Sequence, residues 1–252
     1  NIGADFNATQ DEWKVVPEYQ GNYYDIAAKL QASLLDGSEP DIVQMECSRT
    51  PLFSDYGAFA ELSDMLANVG LDAKEYFYDG FMVDCDWGEG LYALPFNRST
   101  PMFYYNKTLY DELGLSEPTT WDEMVDTCSK IREITGAPAF GWDNLAGSFM
   151  TLVKQFGGRY TDHNGNISFA NEDTDVALKV LNLWKDNVDC GIWRTAGEDM
   201  FFSGPFANEQ IPMYIGDSVE ASYIPSKNPD LNWATAPIPQ VSSDTAANLS
   251  AG

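Results

Sequence analysis

The chain has 252 residues, of which 44% are hydrophobic and 13% aromatic, a composition typical of a folded globular protein long enough for two lobes with cores of their own. Its 39 acidic and 14 basic residues give a formal net charge of −25. This charge argues against nucleic acid and anionic membrane surfaces as partners, because both attract basic proteins. No run of about 18 apolar residues is present, so the sequence predicts no transmembrane helix.

Helical and extended patterns alternate from the start of the chain, which is typical of α/β layering. A helix is predicted over 22–35, because Ile26, Leu30 and Leu34 recur on one face and Gly37 follows. The other elements predicted in this part are strands at 13–19 and 41–46, the latter short and buried, one or two short helices within 54–69, and a hairpin arm at 89–94.

The alternation continues after residue 106. Thr120 is suited to be a helix N-cap with Glu123 as its capping-box partner, and Gly136 ends that helix. The remaining predictions are helices at 107–114, 147–157 and 173–187, the last with Val176, Val180, Leu181 and Trp184 facing inward, a hairpin turn at 162–166, strands at 210–215 and 232–238, and the start of a helix at 219–224.

The segment 95–107 is the most informative part of the chain. Pro95 and Pro101 both lack an N–H, so neither fits easily in the middle of a central strand. The segment is therefore predicted to leave one sheet, cross over and enter another. Small polar residues lie between the two prolines, and two tyrosines follow the second proline. A hinge that lines a ligand cleft requires side chains of these kinds.

This segment reads Pro-Phe-Asn-Arg-Ser-Thr-Pro and then Tyr-Asn-Lys, and it resembles the first hinge of the solute-binding proteins of ABC importers for sugars and glycerol phosphates. Further stretches match the same family in the same order, at 19–24, 39–44, 118–123, and 237–239 with 249–252. The resemblance implies an α/β fold of the two-lobe periplasmic-binding-protein type, with the ligand held between the lobes.

The resemblance also implies a domain organisation. The expected N-terminal lobe is 1–105, the second lobe is 106–238, and 239–252 is a return segment toward the first lobe. The chain is expected to be incomplete at both ends, with a first lobe that lacks its first strand and its C-terminal helices and therefore exposes apolar surface.

Matching the glycerol-phosphate binders of the family residue by residue places the ligand contacts at Tyr23, Glu46, Ser99 and Trp121. Asp217, or its neighbour Ser218, falls where the family presents a Ser. An Asp there would repel a phosphate and would suit a hydroxyl better. A carboxylate such as Glu46 accepts hydrogen bonds from a polyol, and an indole offers a flat apolar face. The alternatives are a solvated strand-end acid for Glu46 and a core Trp for Trp121.

Other chemistry has little support. No phosphate-binding, dinucleotide-binding or nucleophile-elbow motif occurs, so no cofactor and no enzyme activity are expected. Four cysteines without a C-x-x-C spacing and a single His argue against zinc, and the acids at 84, 86 and 89 suit a solvated hairpin better than a calcium loop, so no metal is expected. For the cysteines, disulfides and small buried hydrophobes are both open.

The resemblance implies an extracytoplasmic protein, in the periplasm or as a cell-surface lipoprotein. Its expected partners are a small polyol or sugar and the membrane permease of an ABC importer, with the protein itself a monomer. Two alternatives remain: a glycoside hydrolase, which needs only two carboxylates, and a surface sensory or adhesion module built on the same fold.

Overall fold

The structure, a computed structural model, describes residues 2–87, 90–162 and 165–249. It divides into two compact units, one up to Asn97 and the other from Arg98 onward. The division falls before the predicted boundary at residue 105, because the stretch that follows Thr100 is a strand of the second unit's sheet.

The first unit contains six helices and a two-stranded antiparallel hairpin among its described residues. These are α1 (Ile2–Asn7), α2 (Tyr23–Asp36), α3 (Thr50–Asp55), α4 (Ser63–Asn68), α5 (Ala73–Tyr76), α6 (Asp79–Met82), β1 (Asp86–Trp87) and β2 (Gly90–Leu91). Helix α2 confirms the predicted helix. Asn22 caps it in a capping box with Asp25, and Gly37 ends it in the left-handed conformation, with φ 73°. Helix α4 lies within the predicted helical stretch 54–69.

Two predicted strands of the first unit are wrong. Residues 13–19 and 41–46 have no strand pairing, and Ile42, expected to be buried, is 87% exposed. A strand forms only where a neighbouring strand accepts its hydrogen bonds, and among the described residues of this unit the only ladder joins β1 to β2. Of the predicted hairpin arm, Glu89 lies outside the described residues.

The second unit is a four-stranded mixed sheet with helices on both faces. Its elements are β3 (Pro101–Asn106), α7 (Lys107–Leu113), α8 (Trp121–Thr135), β4 (Phe140–Trp142), α9 (Leu145–Gln155), α10 (Thr174–Asp189), α11 (Ser203–Ala207), β5 (Met213–Asp217), α12 (Glu220–Lys227) and β6 (Trp233–Ala236). The strand order is β4-β5-β3-β6. Strand β3 is antiparallel to β5 and β6, and β4 is parallel to β5.

Alternating side chains of the central strands build two cores, one on each face of the sheet. Phe103 and Ile215 face the larger core, which α8, α9 and α10 cover. Tyr104 and Tyr214 face the other, which Phe206 of α11 and Ile224 of α12 complete. The period-2 alternation of a strand buried on both faces explains why the run 102–105 is apolar and aromatic throughout.

Most predicted elements of the second unit are confirmed. Helix α7 ends at Gly114, and α8 begins with the predicted Thr120–Glu123 capping box and ends at Gly136. Leu181 is an exception: it is 52% exposed, because the inward face of α10 passes through Val180 and the next residue turns toward solvent. The predicted turn at 162–166 includes His163 and Asn164, which lie outside the described residues.

The predicted return segment packs on the second unit as far as residue 249. Gln240 N–H donates to the Thr119 carbonyl at 2.9 Å, and Asn248 Nδ2 donates to the Pro101 carbonyl at 2.8 Å. Residues 250–252, which form part of the predicted second-hinge match, lie outside the described residues.

Candidate functional site

The second unit gathers polar side chains at the edge of its sheet where β5 ends and β3 begins. Because β3 and β5 are antiparallel, the first residue of β3, Pro101, pairs with the last residue of β5, Asp217. Ser218 N–H donates to the Thr100 carbonyl at 2.9 Å, and Thr100 N–H donates to Ser218 Oγ at 3.4 Å. Strand register thus brings Ser99, Asp217 and Ser218, three of the predicted ligand contacts, to one edge. We call it the β3–β5 edge.

Asp217 is held at this edge by its main chain and lies in a poorly solvated environment. The Tyr104 hydroxyl donates to the Asp217 carbonyl at 2.8 Å. Burial raises the pKa of the Asp217 carboxyl above its ordinary value, and the charge of Glu220 raises it further. A carboxyl in this setting is suited to exchange hydrogen bonds with a neutral hydroxyl and is unfavourable beside an anion.

A pair of acids that the sequence analysis does not single out lies next to Asp217. Asp143 directly follows β4, and its Oδ1 accepts the Phe202 N–H at 2.5 Å. Glu220 opens α12, is only 5% exposed, and its Oε2 accepts the Tyr214 hydroxyl at 2.9 Å. The sequence position of Asp143 is the signal that could have identified it. An Asp that follows a buried β-strand lies at the strand's carboxyl end, where α/β proteins place polar groups.

Trp121 is part of the core of the second unit. It is the first residue of α8 and is 4% exposed. Its ring stacks on that of Trp142 with centroids 5.6 Å apart, and its Nε1–H donates to Gln155 Oε1 at 2.8 Å. Within this unit the indole therefore serves packing, and its role as a ligand platform remains a prediction.

The first unit places Tyr23 at the start of the predicted helix but Glu46 in a different setting from the one expected. Tyr23 begins α2 and is partly exposed. Glu46 does not end a strand; it precedes a single 3₁₀ turn, Cys47–Arg49. Arg49 lies close by, with its Nε 3.8 Å from Glu46 Oε2 and its guanidinium 5.3 Å from the centre of the Tyr24 ring. Arg49 is a candidate that sequence reasoning missed.

The six predicted contacts thus fall into two groups, one in each unit. Tyr23 and Glu46 belong to the first unit, and Ser99, Trp121, Asp217 and Ser218 belong to the second. Their convergence on a single ligand remains a prediction. A recess of about 490 Å³ in the second unit lies at the other end of the sheet, lined by residues such as Asn106 and Pro212, and contains none of the six.

Metal-binding clusters and membrane-spanning helices are both absent from the described ranges 2–87, 90–162 and 165–249. No cluster there of three or more His, Cys, Asp or Glu side chains is arranged to hold a metal ion. No helix formed by these residues combines the length and the apolarity needed to cross a membrane. Cys128 is a buried thiol in the core, and burial raises its pKa.

Comparison with known proteins identifies the family. Residues 1–251 match the family described as bacterial extracellular solute-binding protein. The chain belongs to this family. This confirms the resemblance inferred from the hinge segment and from the motifs that surround it.

Curated relatives in this family cover part of the chain. The sn-glycerol-3-phosphate-binding periplasmic protein UgpB of Yersinia pestis is 30% identical over 151 residues, which are 56% of this chain and 34% of that protein. The protein of the same name from Escherichia coli (strain K12) is 31% identical over 139 residues, which are 52% of this chain and 32% of that protein. The aligned region thus spans about a third of the length of these relatives.

Solved structures of other solute-binding and receptor proteins share the fold. UgpB from Mycobacterium tuberculosis, crystallised with glycerophosphocholine, superposes with a TM-score of 0.88 at 23% identity, covering 100% of this chain and 64% of that one. The GacH receptor of Streptomyces glaucescens gives 0.82 at 20% identity, covering 100% and 65%. These likenesses confirm the predicted α/β fold of the periplasmic-binding-protein type.

Proposed function

We propose that this chain is part of the extracytoplasmic solute-binding protein of an ABC importer. The protein captures glycerol-3-phosphate, a glycerophosphodiester or a sugar by hinge closure and delivers it to the permease. The observation that carries the proposal is the family match across residues 1–251. The named relatives support the ligand class, since UgpB proteins are sn-glycerol-3-phosphate-binding and one was crystallised with glycerophosphocholine.

The chemistry of the β3–β5 edge favours a hydroxyl-bearing part of the solute in the second unit. Ser99 and Ser218 can each donate and accept a hydrogen bond, as a sugar or glycerol hydroxyl requires. The Asp217 carboxyl would repel a phosphate there. A phosphate on the ligand therefore fits better near positive charge such as the Arg49 guanidinium of the first unit.

The proposed mechanism needs no chemistry on the solute. The open protein admits the solute, contacts from both lobes favour closure, and the permease recognises the closed monomer. Closure follows only from the difference in solute affinity between the two states. The family description and the periplasmic relatives support a location outside the cytoplasm. Within that, the proposal covers both a periplasmic protein and a cell-surface lipoprotein.

Titration calorimetry of the protein against glycerol-3-phosphate, glycerophosphocholine, maltose and raffinose tests the proposal. We expect one of these solutes to bind. Glu46→Gln is expected to weaken that binding by roughly 1.5–3 kcal/mol, the contribution of a hydrogen bond to a charged group. Ser99→Ala should weaken it by about 1 kcal/mol. Asp230→Asn, a change of an exposed acid away from the six predicted contacts, is the matched control.

Asp217→Asn separates the ligand classes. If the bound solute presents a hydroxyl at the β3–β5 edge, the amide retains hydrogen bonding and affinity falls modestly. If a phosphate lies there, removal of the carboxylate raises affinity. Failure of all four solutes to bind, or unchanged affinity in both Glu46→Gln and Ser99→Ala, would contradict the proposal. Recovery of hydrolysed maltose or raffinose after incubation would indicate a glycoside hydrolase instead.

A further inference from the structure

Asp143 and Glu220 approach each other over a single glycine. A Cβ atom built on Gly216 would lie 2.7 Å from Asp143 Oδ2 and 2.7 Å from Glu220 Oε1. The two carboxyl groups come from different elements, one from the end of β4 and the other from the start of α12. They occupy space that only a residue without a side chain leaves open at this point of β5.

One buried carboxylate oxygen of the pair has no hydrogen-bond donor among the described residues. Asp143 Oδ1 accepts the Phe202 N–H, and Glu220 Oε2 accepts the Tyr214 hydroxyl. Asp143 Oδ2 is buried, and no N–H or O–H of the described residues donates to it. Two ionised carboxylates have no donor to offer each other and would repel in this poorly solvated site. One proton held between them supplies the missing donor.

Among the described residues, no basic group facing the pair supplies the positive charge that two ionised carboxylates would need. The ionisable groups that face the pair are Tyr104 of β3 and Tyr214 and Asp217 of β5, all of which are neutral or anionic. Arg194, a cation on this side of the sheet, lies over the Phe202 ring at 4.8 Å and donates to Asp199 Oδ2 at 3.3 Å. Lys227, at the far end of α12, lies beside Gly204 of α11.

We propose that Asp143 and Glu220 share one proton, and that this carboxyl–carboxylate hydrogen bond positions the 217–219 turn. The turn carries Asp217 and Ser218 and is anchored at its other contacts by Thr100 and Tyr104. Asp143 and Glu220 are thus positioning residues for the β3–β5 edge. The shared proton is independent of the proposed function, and only its effect on the solute rests on that function.

The sign of the pH dependence follows from the direction of the Asp143 shift. The pKa of the Asp143 carboxyl is raised to about 9 in the folded protein. Burial is the largest cause, followed by the hydrogen bond to Glu220 and then by the charge of Glu220. Between the ordinary pKa and that value, the folded state holds a proton that the unfolded state has released. The stabilisation is present in full at low pH and is lost as pH rises through the folded pKa. The unfolding constant therefore gains up to about tenfold per pH unit from this group.

Urea unfolding between pH 5 and pH 9 tests the proposal in the wild type, Asp143→Asn and the exposed control Asp230→Asn. The amide introduced by Asp143→Asn donates to Glu220 without a titrating proton. We expect the wild type and the control to lose stability with rising pH more steeply than Asp143→Asn, by up to about tenfold in the unfolding constant per pH unit. Parallel slopes for the wild type and Asp143→Asn would overturn the proposal.

Two further variants keep the test decisive if Asp143→Asn does not fold. Glu220→Gln removes the other carboxylate and should flatten the slope in the same way. Gly216→Ala inserts a methyl group between the two carboxyl groups and should abolish the shared proton. An infrared band of a protonated carboxyl in the wild type at neutral pH, lost in Glu220→Gln or Gly216→Ala, supports the proposal, and its absence from the wild type refutes it.

The pH dependence of solute affinity tests whether the shared proton positions the 217–219 turn. For glycerophosphocholine or maltose, whichever binds, wild-type affinity should fall several-fold between pH 7 and pH 9.5, while the affinity of Asp143→Asn should stay level. An equal fall in both proteins would refute the positioning role. If neither solute binds, the proposed function fails, whereas the unfolding slopes and the infrared band still decide whether the proton is shared.

Discussion

Gln155 is a single buried side chain that joins three parts of the second unit. It is the last residue of α9 and is fully buried. Its Oε1 accepts the Trp121 indole N–H at 2.8 Å, and its Nε2 donates to the Pro239 carbonyl at 3.2 Å and to the Ala247 carbonyl at 2.9 Å. Gln155→Leu keeps the approximate volume and removes all three hydrogen bonds.

The expected loss follows from what the substitution leaves behind. Each intramolecular hydrogen bond contributes about 1 kcal/mol net, and a buried partner left unsatisfied costs roughly 1–3 kcal/mol. The Trp121 indole is buried in the core, while the two carbonyls lie in the segment 239–249, which can move toward water. We therefore expect Gln155→Leu to lower the free energy of unfolding by about 3–5 kcal/mol, a large part of the roughly 5–15 kcal/mol typical of a domain.

Urea unfolding monitored by tryptophan fluorescence measures this change, because Trp121 stacks on Trp142 and contacts Trp193 within the same core. Gln210→Leu is the matched control: it makes the same chemical change at an exposed position of the same unit and should alter stability by no more than about 0.5 kcal/mol. A loss below about 1 kcal/mol in Gln155→Leu, or an equal loss in the control, would refute the reasoning.

Three further predictions concern local features of the second unit. Thr120→Ala removes the side-chain acceptor of the Glu123 N–H and should cost about 1 kcal/mol in chemical denaturation, whereas no loss would mean that water replaces the cap. Gly136→Ala should cost about 1 kcal/mol, because φ there is 70° although a methyl group would meet no neighbour within 4 Å. The Tyr105 hydroxyl donates to Glu117 and lowers the pKa of that carboxyl below 4.5. This hydrogen bond therefore stabilises the folded protein above pH 4.5, and the stabilisation is lost as pH falls through the lowered pKa. Glu117→Gln should therefore flatten acid unfolding below pH 4.5, and an unchanged acid midpoint would contradict this.

The elements that could be predicted from the sequence are those whose signals are local. The start of α8 is encoded by Thr120 and Glu123 and its end by Gly136, and all three act within a few residues of the helix ends. Helix α2 is defined in the same way by its apolar spacing and by Gly37. Local hydrogen bonds and backbone conformations of this kind do not depend on which other segments of the chain lie nearby.

The two strands predicted wrongly, 13–19 and 41–46, show the limit of local patterns. An apolar or alternating run satisfies the preference of a strand for side chains, but the strand exists only if another strand accepts its hydrogen bonds. Nothing within the run itself specifies that partner. Strand β3 was predictable by contrast because helices cover the sheet on both faces at this strand, and residues 102–105 are accordingly apolar or aromatic without interruption.

The candidate site likewise has a part that could be inferred from the sequence and a part that depends on the fold. Ser99, Asp217 and Ser218 are inferred from a family resemblance, and the strand register between β3 and β5 then places them at one edge. The Asp143–Glu220 pair has no local signature, because the two acids lie on different elements and meet only over Gly216. Contacts of this kind arise from topology, which neither composition nor periodicity encodes.

The charges on this edge bear on which solute it can hold. Asp143, Asp217 and Glu220 bring three carboxyl groups close together on a protein whose net charge is already −25. Burial and the neighbouring negative charges raise the pKa of the Asp143 and Asp217 carboxyls, which makes the edge less anionic than its composition suggests. A protonated or proton-sharing carboxyl exchanges hydrogen bonds with neutral hydroxyls but gives no attraction to an anion. Under the proposed function, the β3–β5 edge would therefore hold the polyol or sugar part of a solute, and a phosphate would be recognised by basic residues away from these three carboxyl groups.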